Sequence, residues 1–291
     1  MIKGQIIKGV GGIYTVSTHN GNYSCTARGK FRKARLTPTV GDFVQITVLD
    51  EAEKTASLDK IEKRENELLR PRVANIHCAV ITFAAASPDP SLDLLDRFLL
   101  LAEARKIPKV VICINKSELG SEEKLKNIKD IYSPLYPIVF TSTVQNTGID
   151  ELRAQLGEGV AVLAGPSGVG KSSLINKLVP ESNRQTGEIS RKIERGKHTT
   201  RQVELLQTGE NTYIVDSPGF TSLTSDFIKS DELVHYFKEF EPHLGKCRFN
   251  DCVHINEPDC AIKESVGKDI APERYERYKG IYEELKGNER Y

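Results

Sequence analysis

Gly165-Pro166-Ser167-Gly168-Val169-Gly170-Lys171-Ser172 is the stretch on which the reading of this chain turns. The apolar run Val160–Ala164 precedes it, and a helical pattern, Ser172-Ser173-Leu174-Ile175-Asn176-Lys177-Leu178-Val179, follows. A Gly-rich turn between a buried strand and a helix is the context in which G-x-x-x-x-G-K-[ST] holds phosphate. The glycines let successive backbone N–H groups turn inward, and the positive end of the helix dipole adds to their field. Lys171 is placed to bridge the β- and γ-phosphates, and Ser172 to hold Mg²⁺. The expected nucleotide contacts are therefore Gly165, Pro166, Ser167, Gly168, Val169, Gly170, Lys171, Ser172 and Ser173.

Downstream, Asp216-Ser217-Pro218-Gly219 follows the apolar strand Tyr213–Val215. An Asp at a strand end can hold Mg²⁺ through water, and the Gly219 N–H can reach a γ-phosphate. By itself D-x-x-G carries little information; its place at a strand end beyond a phosphate loop gives it weight. Between the two lies Arg184–Arg201 (RQTGEISRKIERGKHTTR), basic, polar and short of apolar residues. Thr199 or Thr200 can close over Mg²⁺ and γ-phosphate as switch loops do; Thr200 is the expected one. Magnesium would thus be held by Ser172, Thr200 and Asp216.

Upstream, Asn115-Lys116-Ser117-Glu118 comes directly after the buried strand Val110–Ile114. An N-K-x-D motif at such a place reads guanine, because its carboxylate accepts from the ring N–H and the exocyclic amine. Lys116 would pack along the base. Ser142 and Thr143, ahead of the helix start at Gly148-Ile149-Asp150, sit where the backbone of an S-A-K loop touches the guanine oxygen. Here the motif ends in Glu118, whose carboxylate stands on an arm one methylene longer, so a shift of the loop is needed for two-point reading. The order is also reversed, with the base-reading loop ahead of the phosphate loop. A circularly permuted chain builds the same sheet, since native termini often lie close together. The segment after Gly219 is then free to lead into an attached domain.

The pattern around these motifs divides the chain in three. Residues 1–62 read as all-β, with runs at Gln5–Val10, Ile13–Ser17, Tyr23–Ala27 and Phe43–Leu49 separated by Gly-Gly, Asn-Gly and Pro-Thr-Val-Gly-Asp turns. Four or five short strands in so short a stretch suggest a small barrel of the oligonucleotide-binding (OB) type. Residues 63–72 (KRENELLRPR) are charged and read as a linker. Strands and helices then alternate: Ala74–Ala86, a helix with Leu92, Leu95, Leu99 and Ala102 on one face, Val110–Ile114, Glu122–Tyr132, Ile138–Thr141, Ile149–Leu156, Val160–Ala164, Arg201–Leu206 and Thr212–Val215. That alternation indicates an α/β domain, a parallel sheet with helices on both faces. Beyond about Asp226 the chain reads as helical. The expected organisation is a barrel at 1–66, a permuted phosphate-loop domain at 67–225 and a helical metal-binding domain at 226–291.

Three of the six cysteines, Cys247, Cys252 and Cys260, cluster with His254. Three thiolates and an imidazole suit tetrahedral zinc, and four filled positions make a closed, structural site; His243 is the alternative ligand. Cys78 and Cys113 lie in apolar runs and read as small buried hydrophobes. The net charge is only +1, yet residues 1–41 hold seven Lys/Arg and no Asp or Glu. Arg28, Lys30, Arg32, Lys33 and Arg35 surround Phe31, and cations around an aromatic can hold phosphates and stack a base. The Tyr275, Tyr278 and Tyr282 stripe reads as packing for the last helix. With 38% hydrophobic residues and no apolar run near the ~20 residues of a membrane span, a soluble, cytoplasmic chain is expected.

The barrel, the permuted loop order, the Gly196-Lys197-His198-Thr199-Thr200-Arg201 loop and the Cys/Cys/His/Cys tail together resemble the ribosome small subunit-dependent GTPase A family, over essentially the whole chain. The resemblance implies GTP hydrolysis to GDP stimulated by the small ribosomal subunit, and a late role in that subunit's maturation. It also implies rRNA contacts through the barrel and zinc domains. Many GTPases orient the attacking water with a Gln after D-x-x-G; Phe220 stands there, and His198 is the candidate that the resemblance supports. Catalysis would then fall to His198, Lys171 and Thr200, in a monomer carrying one structural zinc and taking magnesium with GTP. A phosphate-loop ATPase or kinase and a non-catalytic RNA-binding adaptor are the competing readings.

Overall fold

The computed structural model describes residues 1–29, 31, 36–69, 72–180, 203–215 and 228–289. His198, Thr199, Thr200, Asp216, Gly219 and Phe220 lie outside the described residues, as do Lys30, Arg32, Lys33, Arg35 and the expected border at 225/226.

The N-terminal strands β1 (Ile2–Val10), β2 (Ile13–Thr18), β3 (Gly21–Ala27), β4 (Phe43–Asp50) and β5 (Thr55–Ile61) close into a barrel in the order β1-β2-β3-β5-β4. Alternate residues point inward, so Ile6, Val16, Tyr23, Cys25, Val44, Ile46, Ala56 and Leu58 fill the interior. The β1–β2 turn is made by Gly11 and Gly12, both at positive φ, as a two-residue hairpin turn requires.

The charged stretch read as a linker is an ordered joint. Its strands β6 (Glu67–Leu69) and β7 (Arg72–Ala74) pair antiparallel. Arg64 grips the buried Asp42 at two points, Nε to Oδ1 at 2.7 Å and Nη2 to Oδ2 at 2.9 Å. The Asn66 amide exchanges two bonds with the backbone of Ile76, at 2.9 and 2.8 Å. Gly41, at φ 93°, lies so close to the next segment that a Cβ would stand 2.1 Å from the Ala74 carbonyl oxygen. The partner of Arg64 lies far back in the sequence, at Asp42, which is why composition alone suggested a linker.

Strands β8 (Ile76–Ala84), β9 (Lys109–Asn115), β10 (Ile138–Phe140), β11 (Gly159–Ala164), β12 (Leu205–Gly209) and β13 (Thr212–Val215) form one sheet, ordered β10-β9-β8-β11-β13-β12. It is parallel except for β12, which runs antiparallel to β13. That qualifies the parallel sheet expected from the alternation. The tight turn through Asn211, at φ 53°, can only join antiparallel neighbours. Helices α1 (Leu92–Ala104) and α2 (Glu122–Tyr132) cover one face, packing Leu95, Phe98, Leu99 and Ile128 with Ala79, Ile81 and Phe83. Helices α3 (Ile149–Leu156) and α4 (Lys171–Leu178) cover the other, packing Leu152, Leu156 and Leu174 with Cys78 and Val80. The alternation along β8 divides its side chains between the two faces. The chain enters at β8, moves outward to β10, and returns through α3 to β11 beside β8. Strand order therefore reverses between β8 and β11, which opens a crevice at their carboxyl ends.

The C-terminal part is less helical than its sequence suggested. Two 3₁₀ segments, Leu233–Tyr236 and Lys238–His243, and the short α5 (Ala261–Ser265) precede α6 (Pro272–Asn288). Phe237, Phe240, Tyr278 and Ile281 form its core, and Leu100 of α1 enters the same cluster. The joint is sealed by charge. Arg274, 1% exposed, meets Glu239 through Nε and Nη2 at 2.6 and 2.9 Å, and Asp96 of α1 through Nη1 at 2.5 Å. Arg277 takes the other Asp96 oxygen, and Tyr132 Oη donates to Asp96 at 2.7 Å.

Removing one partner of such a buried set strands the others without water. Arg274→Ala is expected to cost about 3–5 kcal/mol, read as a lower melting temperature of the full chain. An unchanged melt would show that water reaches Asp96 and Glu239.

Candidate nucleotide site and metal centre

The phosphate loop joins β11 to α4 and lies against the ends of β8 and β9. Gly165 has φ 142°, and a Cβ there would stand 2.0 Å from the Thr82 carbonyl oxygen. Gly170 has φ 94°, and a Cβ would stand 2.3 Å from Asn115 Nδ2. Gly168 is also at positive φ. Only glycine meets both conditions, positive φ and close backbone approach. Lys171 Nζ donates to the carbonyls of Gly165 and Pro166, both at 2.7 Å, so its ammonium lies within the loop. Ser167, Gly168 and Ser173 are exposed and Pro166 and Ser172 half-buried, while the Val169 side chain packs inward.

Asn115, read from sequence as a base contact, is fully buried at the end of β9. Its Nδ2 donates to the Val169 carbonyl at 2.9 Å and its Oδ1 accepts from Thr141 Oγ1 at 3.1 Å. One carboxamide thus ties the phosphate loop, the N-K-S-E loop and the loop after β10 together. Thr141 was missed in the sequence reading; its only signal was its place directly after β10 and before Ser142. Ser117 N donates to Thr141 O at 3.0 Å, which adds a second tie. Lys116 adopts φ 56° and donates to the Ser87 carbonyl. Glu118 lies in a 3₁₀ turn, Ser117–Leu119, and its Oε2 is buried without a hydrogen-bond partner among the described residues. A buried acceptor without a donor is costly, and a ligand donor would offset that cost. Ser142 is buried and exchanges backbone bonds with Thr147 at 3.0 and 3.1 Å, while its Oγ accepts from Gln145 N at 2.9 Å. Its hydroxyl shapes the turn and leaves Thr143 beside it half-buried.

Of the barrel cations expected to meet phosphate, Arg28 is the one among the described residues. Arg28 is paired with Asp59 at 2.8 Å and donates to Ser57 Oγ at 3.0 Å. Phe31, expected among them as an outward stacking platform, is 6% exposed and belongs to the barrel core. An aromatic in a charged run anchors that run when the barrel offers it an apolar seat.

Cys247, Cys252, His254 and Cys260 bring their ligand atoms within 4.8 Å of one another. Cys247 Sγ is 3.4 Å from His254 Nδ1 and 3.9 Å from Cys260 Sγ, and His254 Nδ1 is 3.3 Å from Cys260 Sγ. A tetrahedral zinc with bonds of ~2.3 Å to sulfur and ~2.0 Å to nitrogen has edges of about 3.5–3.8 Å, so the residues present fit. His243, the alternative ligand, is engaged with Ser265 Oγ at 3.2 Å. Tyr275 and Tyr278 donate to the carbonyls of His254 and Val253, both at 2.8 Å, and the Glu257 carboxylate accepts from the N–H groups of Val253 and Ile255. Burial lowers the His254 pKa, which keeps the imidazole neutral, and pushes the Cys252 thiol up to about 12. A metal here displaces thiol protons, so its affinity falls as pH falls.

Residues 3–55 match the RsgA N-terminal domain, and residues 61–226 match the RsgA GTPase family. The chain belongs to the RsgA GTPase family. It is 46% identical, over all of both chains, to the small ribosomal subunit biogenesis GTPase RsgA of Alkaliphilus metalliredigens. Identity to the protein of that name from Geobacillus thermodenitrificans is 45%, over 98% of each chain. The crystal structure of YjeQ from Thermotoga maritima superposes with a TM-score of 0.85 at 37% identity, over 98% of this chain and 99% of that one. YloQ, a circularly permuted GTPase, also gives 0.85, at 31% identity over 99% and 96%. This RsgA-family chain is likewise a permuted GTPase, with the Asn115–Glu118 and Ser142–Thr143 loops built before the phosphate loop.

Two outcomes test these sites. Gly170→Ala is expected to weaken nucleotide binding by about tenfold or more, read by fluorescent-nucleotide titration; unchanged affinity would contradict the close approach to Asn115. Elemental analysis is expected to find a tightly bound divalent ion in the parent chain and to find it lost from Cys260→Ser, which should also melt earlier. Retention of a full complement of metal would contradict the ligand set.

Proposed function

We propose that this chain hydrolyses GTP to GDP and phosphate while docked on the small ribosomal subunit, late in that subunit's maturation. The observation that carries the reading is the meeting of three loops at the carboxyl edge of the sheet. The phosphate loop, the Asn115–Glu118 loop and the Ser142–Thr143 loop are held by Asn115, with a buried, unpartnered carboxylate oxygen on Glu118. Such an oxygen suits the ring N–H and amine of guanine, which adenine does not offer. The biogenesis role is supported by the name of the relatives matched over the whole chain.

In this reading Gly165–Gly170 cradle the phosphates with backbone N–H groups, and Lys171 leaves the loop carbonyls to meet the β- and γ-phosphate oxygens. Ser172, Thr200 and Asp216 would hold the magnesium that arrives with GTP, whose chemistry when bound would be to offset charge on the phosphate oxygens. The Gly219 N–H meets the γ-phosphate. His198 orients the attacking water in place of the residue that Phe220 displaces. Cys247, Cys252, His254 and Cys260 hold structural zinc, which fixes the loops ahead of α6. Lys30, Arg32, Lys33 and Arg35, with the zinc domain, contact rRNA. Among the described residues no helix is long and apolar enough to cross a membrane. We place the chain in the cytoplasm, as a monomer beside the subunit it serves.

The test is GTP turnover with and without purified small subunits. The subunit is expected to raise turnover by at least about tenfold, and His198→Ala to lower the stimulated rate by about a hundredfold with GDP binding intact. Equal turnover with and without subunits would contradict the function, and an unchanged stimulated rate would remove His198 from the mechanism.

A further inference from the structure

We propose that the barrel braces the β12–β13 hairpin, with Lys8 and Glu204 as positioning residues through which an event on the barrel reaches the nucleotide. The inference rests on the GTPase reading above and adds a route of control to it.

Lys8 and Glu204 form an isolated antiparallel bridge between β1 and the approach to β12. Their side chains meet at 3.1 Å, Nζ to Oε1. The register of β1 against β2 shifts between Ile6 and Lys8. Such a bulge bends a strand and re-aims its side chains, and here it falls where the strand reaches the hairpin. The next strand adds a contact, Ser17 Oγ to Tyr213 Oη at 3.4 Å. Leu205 and Val215 lie in the same apolar cluster as Ile6 and Val16, with Val203 and Tyr213 packed against it.

The hairpin's position in the chain gives these contacts their meaning. Glu204 closely follows Thr200, and Val215 immediately precedes Asp216. The hairpin therefore connects the two segments proposed to hold magnesium and γ-phosphate. As the edge strand, β12 has only β13 beside it in the sheet. The barrel supplies its second support, and is itself fixed to the root of β8, where Asn75 Nδ2 donates to Gly41 O at 3.0 Å. Barrel contacts thus run from the root of the central strand to the edge hairpin. A load on the barrel shifts the hairpin relative to β8 and β11, which carry the phosphate loop. Spatial continuity alone does not establish coupling, so the test is energetic.

The pair is partly exposed, at 35% and 38% of its side-chain surfaces, and contributes little to folding. Lys8→Glu, Glu204→Lys, Glu204→Gln and the charge-swapped double variant K8E/E204K should all fold. Each full-length chain is assayed for basal GTP turnover, affinity for purified small subunits and turnover at saturating subunit. Each single variant is expected to lose about fivefold of the stimulated turnover, at the low end of ordinary allosteric coupling. Basal turnover and subunit affinity should be unchanged, and K8E/E204K should recover the stimulated rate. Stimulated rates within twofold of the parent, a double variant that fails to recover, or a loss of affinity in place of turnover overturns the brace while leaving the GTPase reading standing. A parent chain that ignores subunits overturns both.

Discussion

The Asn115 carboxamide holds the nucleotide edge of the sheet together. It gives its donor to the Val169 carbonyl and its acceptor to Thr141, in a site without exposure to water. A buried amide that loses either partner is left with an unmet group, so the three loops are held as a unit. The glycines follow from the same constraint. Gly170 is pressed against Asn115 and Gly165 against the Thr82 carbonyl, and neither position has room for a side chain. Among the described residues of these three loops, Glu118 is where this economy is broken, and a bound base would supply the missing donor.

Permutation sets how the flanking parts attach. The chain enters the sheet at its centre, so the barrel is fastened at the root of β8 by Gly41, Asp42, Arg64 and Asn66. The C-terminal part folds back onto α1 and α2, where Asp96 and Tyr132 receive Arg274 and Arg277. The Asn115–Glu118 loop lies between β9 and α2. The barrel reaches the opposite flank, the β12–β13 hairpin. The α/β domain is thus contacted by the C-terminal part through α1 and α2 and by the barrel through the β12–β13 hairpin.

Legibility in the sequence followed the chemistry. Phosphate and metal sites demand fixed residue types at short spacing, so the loop at Gly165–Ser172 and the Cys247/Cys252/His254/Cys260 set could be read directly, and the four metal-site residues cluster in space. Helices α2 and α3 and strand β13 have the limits that their periodicity indicated. What could not be read was set by partners far away in sequence. Arg64 looked like part of a solvated linker until Asp42 was seen to hold it. Arg274 stands in a charged stretch with nothing near it in sequence to mark it as buried, yet it meets Asp96 and Glu239 in the interior. Phe31 looked like an outward ring because only the closed barrel offers it a seat. The antiparallel course of β12 followed from the tightness of a turn.

In the proposed function these three loops form a guanine site in which Glu118 reads the base. Equilibrium titration of the parent chain with GDP and with ADP is the decisive measurement. GDP is expected to bind at least about a hundredfold more tightly, the discrimination available when a buried carboxylate oxygen is satisfied by one base and left unpaired by the other. Affinities within a few-fold of each other would contradict it.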